Sequence, residues 1–238
     1  MSDEQIVSIL NRSVAIADPI LDIIAHSDPL QVKPRTFGRQ WWDVIPTRFG
    51  DLTATALSAA AWPGTGSWEK LSSTDRAAWW VHRIGPVTSA APAFPGMFGA
   101  WTKKLPASTV LGAASQALVV LAIGREYGIV DRNDEIDLLG AVLFGRDLDG
   151  AKVKAVERQE IPDADRKTAV VTALREIGVA LLRIDKELGA RPQSPTLLAH
   201  LTWIPVIGAA ASYLGEQIAL RKAADATRAW IVAHREAV

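Results

Sequence analysis

Apolar residues recur at three- and four-residue spacing along this chain, which is the period of an amphipathic α-helix. Clear examples are the stripes within residues 6–17 and within residues 170–184. Alternating strand patterns extend over no more than a few residues, and the sequence shows neither internal repeats nor low-complexity tracts. The sequence therefore predicts an all-α fold, a multi-helix bundle in which residues 1–238 form a single domain. A second arrangement separates tryptophan-rich N-terminal helices, residues 1–85, from a helical core, residues 86–238.

Capping residues and glycines predict where most helices begin and end. Asp18-Pro19 matches an N-cap followed by proline at the first helical position, so we expect a second short helix to begin there. Proline and glycine punctuate residues 86–106, which predicts a central segment without one regular element. A buried helix is also predicted at residues 51–61. Thr74 or Asp75 caps the next predicted helix, which ends by Gly85, and residues 108–127 form another, which Gly128 stops. The remaining predicted helices run from Asn133 or Asp134 to near Gly145, over residues 151–159, and over residues 163–188, where Gly189 closes the last one.

Four windows of the sequence carry no charged side chain: residues 52–68, 84–102, 105–124 and 192–215. A transmembrane helix needs ~20 predominantly apolar residues. The first two windows are too short or too rich in proline and glycine, and polar residues such as Ser115 and His200 dilute the other two. We therefore expect the windows to be buried within the protein. Reversible partial insertion and a true membrane span are the alternatives.

Pro205 lies inside the last of these windows. Because proline lacks a backbone N–H and clashes with the preceding turn, it starts, breaks or kinks a helix. We therefore expect a C-terminal helical hairpin or kinked pair, with one arm at residues 197–203 and the other from Val206 onward. The second arm is expected to continue as an amphipathic helix whose apolar stripe contains Leu220, Ala224, Thr227 and Ile231.

Composition and motifs argue against several classes of protein. The chain has no cysteine, which excludes disulfides, thiolate metal sites and thiol catalysis. Its 26 basic and 26 acidic residues balance, so we expect no nucleic-acid partner. The acidic N-terminus lacks the pattern of a secretory signal, which predicts a cytoplasmic location.

No candidate motif for catalysis or for metal and cofactor binding has the required spacing. The four histidines are scattered, and the glycine-rich residues 64–67 lack the lysine of a P-loop. The acidic run at residues 131–135 departs from a calcium loop and is better explained by helix capping. Asp147 and Asp149 are better explained as a turn and a cap than as a catalytic pair. The sequence thus identifies no catalytic residue, no metal site and no cofactor.

Tryptophan pairs are the most unusual feature of the composition, with nine tryptophans against two tyrosines. Trp79 and Trp80 are adjacent, and neighbours on a helix point ~100° apart, so we expect one to be buried and the other partly exposed. An exposed indole beside basic residues suits a lipid headgroup interface, whereas core packing with a protein–protein contact is the alternative. The residues expected to form a membrane or partner interface are Trp79, Trp80, Phe94, Phe98, Trp101, Lys103 and Lys104.

A second hypothesis places a small molecule between the helices. Gln116, His200 and Tyr213 are isolated polar groups within apolar segments, as expected of a cavity for a lipid-like ligand. The chain would then be a helical carrier or an enzyme acting on that ligand. A third hypothesis makes it a subunit of a larger assembly, with homo-oligomers included, whose apolar windows are protein interfaces.

Two stretches resemble EcsC-family proteins. A Pro-Gly turn at Phe94-Pro95-Gly96 precedes a long apolar helix, the run Ile-Gly-Arg-Glu-Tyr-Gly at residues 123–128, and an acidic start to the next helix at residues 131–135. This order is similar to the central pattern of the family. Residues 204–213, which lead into a helix with basic residues, are similar to its C-terminal pattern.

The resemblance covers roughly residues 90–235 and leaves the N-terminal third unmatched. Ser212 is a departure, because the family often has a polar amide nearby. EcsC-like proteins are associated by name with an operon that encodes an ABC-type exporter. The resemblance thus implies a helical, membrane-proximal protein and implies no reaction. Our first functional hypothesis is a non-enzymatic protein that associates peripherally with a membrane or with a partner in a membrane complex.

Overall fold

A computed structural model describes residues 1–26, 61, 63, 66–84, 107–154, 156–161, 166–188 and 205–235. These residues form seven α-helices and one short 3-10 helix, with no strand among them, so the all-α prediction is confirmed. The α-helices are α1 (Asp3–His26), α2 (Gly66–Glu69), α3 (Ser73–Ile84), α4 (Ala107–Glu126), α5 (Arg132–Phe144), α6 (Arg166–Leu188) and α7 (Pro205–Arg235), and the 3-10 helix is Gly150–Lys152.

Helix α4 is the centre of the fold. It contacts α1, α3, α5, α6 and α7, and every residue from Val110 to Gly124 is buried. Residues Thr109–Glu126 form the one window, within the described helices, that is long and apolar enough to cross a membrane, and 78% of that window is buried inside the protein. Burial of this uncharged window is thus confirmed, whereas most of the other three windows lies outside the described residues.

Helix α4 ends at Glu126, just before Gly128, as the glycine predicts. Gly128 has a φ of 87°, a left-handed conformation that glycine adopts without a side-chain clash. The Ile129 N–H then donates to the Gly124 carbonyl at 2.9 Å, which satisfies a carbonyl of the last turn. Gly145, with a φ of 61°, ends α5 in the same way. Both predicted stops are confirmed.

Two helix caps lie two or three residues earlier in the chain than predicted. The N-cap of α5 is Asp131, whose carboxylate accepts the Asn133 N–H at 2.8 Å, and not Asn133 or Asp134. Helix α3 begins after Ser72, whose hydroxyl accepts the Asp75 N–H at 3.1 Å and donates to the Asp75 carboxylate. Both starts have several cap-forming side chains within four residues, and the first of them takes the capping position.

The prediction that a new helix begins at Asp18-Pro19 is wrong, because α1 continues through Pro19 to His26. Proline has no N–H to donate to the carbonyl four residues earlier. That carbonyl, on Ala15, instead accepts the Gln159 N–H at 3.1 Å. The hydrogen bond lost inside the helix is replaced by one from a distant segment, so the proline is tolerated.

The segment that makes this contact is not the helix predicted at residues 151–159. After the 3-10 turn at Gly150–Lys152, none of the residues that the structure describes through residue 161 is helical. We call residues 153–161 the strap, of which Ala155 lies outside the described residues. Val153 and Ile161 pack against the core at its two ends, while the described residues between them are exposed. The strap is therefore held to α1 mainly by polar contacts.

Helices α4 and α6 approach each other closely at Gly178. A β-carbon built at this position would lie 2.0 Å from the backbone oxygen of Val110, which only glycine allows. Leu174, Ile177 and Leu181 on the same helix are buried, as the apolar stripe of α6 predicts. This close packing fixes α4 between α6 and the helices on its other sides.

The C-terminal prediction is tested only for one arm. Helix α7 begins at Pro205, as expected of a proline at a helix start, and its stripe buries Leu220, Ala224 and Thr227. The expected first arm at residues 197–203 lies outside the described residues. Helices α1 and α3 of the N-terminal third both contact α4, while the division of the chain at residue 85 stays a prediction.

Candidate functional site

A group of charged side chains lies where α1, the end of α4 and the start of α5 meet. The sequence analysis did not identify it. We call this group the junction cluster, and its members are Asp18 and Asp22 on α1, Arg125 on α4, Arg132 and Glu135 on α5, and Arg158 on the strap.

Arg125 is the centre of the junction cluster and binds three carboxylates. Its Nη2 lies 2.6 Å from Asp18 Oδ1 and its Nη1 lies 3.1 Å from Asp22 Oδ1. Its Nε lies 3.4 Å from Glu135 Oε1, the longest of the three contacts. A guanidinium group has donors on three sides of a plane, which makes this shared geometry feasible for arginine and not for lysine.

The Asp18 carboxylate binds Arg125 of α4 and Arg132 of α5. Its second oxygen, Oδ2, lies 2.8 Å from Nη2 of Arg132, whose Nη1 also donates to the Asn11 carbonyl at 3.3 Å. A buried carboxylate requires such partners, because an unpaired buried charge costs several kcal/mol. Asp18 therefore connects α1 to α4 and α5, in place of the capping role that the sequence predicted.

Glu135 is the most deeply buried carboxyl of the junction cluster, with its side chain 4% exposed. Burial, followed by repulsion from Asp18, raises the pKa of Glu135 to about 7. The positive charges of Arg125 and Arg132 oppose this shift and do not outweigh it. The group thus exchanges a proton near neutral pH, where ordinary glutamates stay ionised.

The strap binds α1 through Asn11, Ala15 and Asp22. The Asn11 amide donates to the Lys154 carbonyl at 2.9 Å and accepts the Val156 N–H at 3.3 Å. Arg158 forms a close ion pair with Asp22. Burial raises the pKa of Asp22, but the Arg158 and Arg125 guanidinium groups outweigh that effect and leave this pKa below its usual range.

A second cluster contains three tryptophans from α2 and α3. Trp68 packs edge-on against Trp79, with ring centroids 5.1 Å apart, and against Trp80 at 6.3 Å. The Trp80 Nε1–H donates to Glu126 Oε1 at 3.0 Å, and Arg76 lies over the Trp68 ring, with Cζ 5.6 Å from its centroid. The cluster therefore fastens α2 and α3 to the end of α4.

The prediction that one of the adjacent tryptophans is partly exposed is wrong. Trp79 is 8% exposed and Trp80 is 4% exposed. Adjacent side chains do point in different directions, but Trp68 lies against both rings and Glu126 of α4 binds the Trp80 ring nitrogen. Both indoles are thus parts of the core, and neither is presented as a membrane-facing group.

Most of the other predicted interface and cavity residues lie outside the part of the chain that the structure describes. Phe94, Phe98, Trp101, Lys103, Lys104 and His200 lie outside the described residues, and for Tyr213 only its place on α7 is described. Gln116 is buried on α4, as expected of a cavity residue. Its Oε1 has no hydrogen-bond partner among the described residues, and neither has the hydroxyl of the adjacent Ser115.

The chemistry of the described clusters favours ion pairing and proton exchange. Each carboxylate of the junction cluster lies against a guanidinium group, and the described residues contain no group of three or more metal-ligating side chains. Asp149 caps the 3-10 turn by accepting the Ala151 N–H at 3.2 Å, so the expected capping role is confirmed.

Two sequence signals pointed to the junction cluster. Asp18 and Asp22 are four residues apart in the mainly apolar second half of α1, which places both carboxylates on one face. Arg125 is the first charge after the uncharged window 105–124. A charge at the end of a buried helix needs a partner, but the sequence does not show which distant residue supplies it.

Comparison with known proteins does not assign the chain to a family. No protein-family model, no curated protein and no solved structure matches it. The resemblance to EcsC-family proteins accordingly stays a prediction from the sequence motifs.

Proposed function

We propose that this chain is a non-enzymatic, all-α protein that associates peripherally with a membrane surface through residues 94–104. The observation that carries the proposal is the burial of α4. The window Thr109–Glu126 is apolar enough to span a bilayer, yet five helices cover it. Since this window is covered by protein, we propose the aromatic and basic residues within 94–104 as the lipid contact.

Residues 94–104 have the composition of a membrane-surface anchor. Phe94, Phe98 and Trp101 supply aromatic rings. Lys103-Lys104 follow after one residue and are separated from the start of α4 by two residues. Aromatic rings favour the headgroup level of a bilayer. Each basic residue near an anionic surface contributes about 1 kcal/mol of attraction, so two lysines and three rings support reversible binding.

The proposed interface differs from that expected from the sequence, since Trp79 and Trp80 belong to the core. Their burial restricts the proposed anchor to residues 94–104. The non-enzymatic assignment is supported by the junction cluster, whose carboxylates are bound to arginines that connect helices. Ion pairs of that kind connect the helices of the fold.

Vesicle co-sedimentation tests the proposal. The purified chain is mixed with phosphatidylcholine vesicles that contain or lack phosphatidylserine. We expect pelleting with the anionic vesicles, and we expect Trp101→Ala and the double variant Lys103→Ala/Lys104→Ala to weaken it. The matched control is Arg221→Ala/Lys222→Ala, which removes an exposed basic pair from α7 and is expected to pellet like the wild type.

Three results would argue against this function. Absence of wild-type pelleting rejects lipid binding, and equal pelleting of all variants rejects residues 94–104 as the anchor. If the chain binds native membranes but not vesicles, and protease treatment of those membranes abolishes binding, the partner is a membrane protein and not the lipid surface.

A second candidate function, a carrier for a lipid-like molecule, is favoured by one observation. The buried Gln116 presents an Oε1 that no described residue binds. A buried acceptor without a partner costs about 1–3 kcal/mol, which a ligand hydroxyl would relieve. Mass spectrometry of the native protein is expected to detect a co-purified lipid that Gln116→Leu loses. A ligand-free wild-type protein would contradict this function.

A further inference from the structure

Glu135 lies at the boundary between α1 and the pair formed by α4 and α5. Asp18 reaches this boundary from α1, Arg125 from α4 and Arg132 from α5. We propose that the junction cluster is a proton-operated latch: a proton on Glu135 holds α1 against α4 and α5, and loss of that proton loosens α1. This inference does not depend on the proposed association with membranes.

The argument depends on which groups move with α1. Burial and the charge of Asp18 are the two influences that raise the pKa of Glu135, and removing α1 takes away Asp18 together with the part of the burial that this helix provides. Arg125 and Arg132 belong to α4 and α5, so they stay beside Glu135 and favour its ionised form. Separation of α1 therefore releases the proton, and by linkage proton uptake favours the seated helix.

The remaining charges of the junction cluster, Asp22 and Arg158, do not change the conclusion that separation of α1 favours loss of the proton from Glu135. Asp22 leaves with α1, and its departure removes a carboxylate that shares Arg125 with Glu135. Arg158 on the strap interacts favourably with Glu135, and its loss alone would favour the protonated form. Arg158 is more exposed and is bound to Asp22, so its effect on Glu135 is smaller than that of burial and Asp18.

The sign with pH follows from the two states of Glu135. Its pKa is raised from 4.5 to about 7 when α1 is seated. The stabilisation that the bound proton gives to the seated helix is fully present below pH 4.5. It is lost as pH rises through about 7 and is absent above that pH. Between pH 5 and pH 8 this predicts that the opening equilibrium of α1 increases by up to roughly two orders of magnitude.

Hydrogen exchange followed by mass spectrometry measures this opening directly. The peptide exchange rates of α1 are corrected for the intrinsic effect of pH and compared from pH 5 to pH 8. We expect the protection of α1 to fall as pH rises in the wild type and to stay level in Glu135→Gln. The peptides of α3 supply an internal reference, because this helix packs mainly on α4 and α7 and not on α1.

A matched control separates the latch from a general loosening of α1. Glu176 on α6 forms an ion pair with Arg12 on α1, at 2.7 Å from Oε1 to Nε, away from the junction cluster. Glu176→Gln is expected to lower the protection of α1 at every pH and to retain the wild-type pH dependence. If wild type and Glu135→Gln show the same pH dependence, or if protection rises with pH, the latch is rejected.

The titration of Glu135 in the wild-type protein provides a test that needs no variant. Its side-chain carboxyl carbon, followed by NMR, is expected to titrate near neutral pH. Asp18→Asn is expected to move this midpoint downward, because the variant removes a repelling carboxylate and leaves both arginines in place. A wild-type midpoint near that of ordinary glutamates would overturn the proposal.

Discussion

The substitution Gly178→Ala tests how closely α4 and α6 pack. The new β-carbon would lie 2.0 Å from the Val110 oxygen and 2.8 Å from its carbonyl carbon. The obstructing atoms belong to the backbone, so no side-chain rotation removes the clash. The two helices have to separate locally by roughly 1 Å in a core packed at crystal-like density.

Two opposing effects determine the change in stability. Alanine is favoured over glycine inside a helix by about 1 kcal/mol. Overpacking of a core costs about 1–3 kcal/mol, and this clash belongs at the upper end because backbone atoms obstruct the β-carbon. We therefore expect Gly178→Ala to lower the free energy of unfolding by about 1–2 kcal/mol.

Chemical denaturation of the wild type and two variants measures this change. The matched control is Gly124→Ala on α4, where the β-carbon would lie 2.8 Å from Cδ2 of Leu138, the far end of a flexible side chain. That variant is expected to lie within about 1 kcal/mol of the wild type. The reasoning is refuted if Gly178→Ala is more stable than the wild type, as helix propensity alone would give, or equals Gly124→Ala.

Two further substitutions test contacts that the sequence did not predict. Pro19→Ala supplies an N–H for the Ala15 carbonyl, which in the wild type accepts the Gln159 N–H of the strap. We therefore expect lower protection of the Gln159 amide in hydrogen exchange and no loss of helical circular dichroism. Unchanged protection would show that this contact does not hold the strap. Trp80→Phe removes a hydrogen bond to the Glu126 carboxylate and is expected to destabilise the protein by about 2 kcal/mol in thermal or chemical denaturation. Trp230→Phe, at a half-buried position on α7, is the control, and an equal effect of the two variants would contradict a special role for the hydrogen bond.

The sequence predicted those parts of the fold that depend on local preferences. The apolar run and the following glycine predicted α4 to within one residue at each end, because a helix without charges and a left-handed glycine are both local features. Gly145 ended α5 for the same reason. Caps were located less accurately where Asp131, Asn133 and Asp134 offered competing side chains.

The predictions from the sequence are wrong where a contact with a distant residue overrides the local helix preference. Asp18-Pro19 fits a helix start by every local rule, yet Gln159 satisfies the carbonyl that Pro19 leaves without a helical partner. The strap has a composition compatible with a helix, and its backbone instead pairs with Asn11 and Ala15. In both cases the deciding hydrogen bond joins residues more than a hundred positions apart.

The candidate site was missed for the same reason. The chain shows where single charges interrupt apolar faces, as at Asp18 and Arg125, but not which of them meet. Geometry brings Glu135 between these two charges and thereby changes its protonation. The burial of both Trp79 and Trp80 likewise depends on Trp68, which lies on a different helix.

Fractionation of cells without detergent tests most directly whether α4 is a core helix of a peripheral protein. Membranes are washed with carbonate, and intact sealed vesicles are treated with protease before analysis. We predict that the chain is found in the soluble fraction or is released from membranes by carbonate. A carbonate-resistant chain with protease sites protected on both sides of the bilayer would contradict this account.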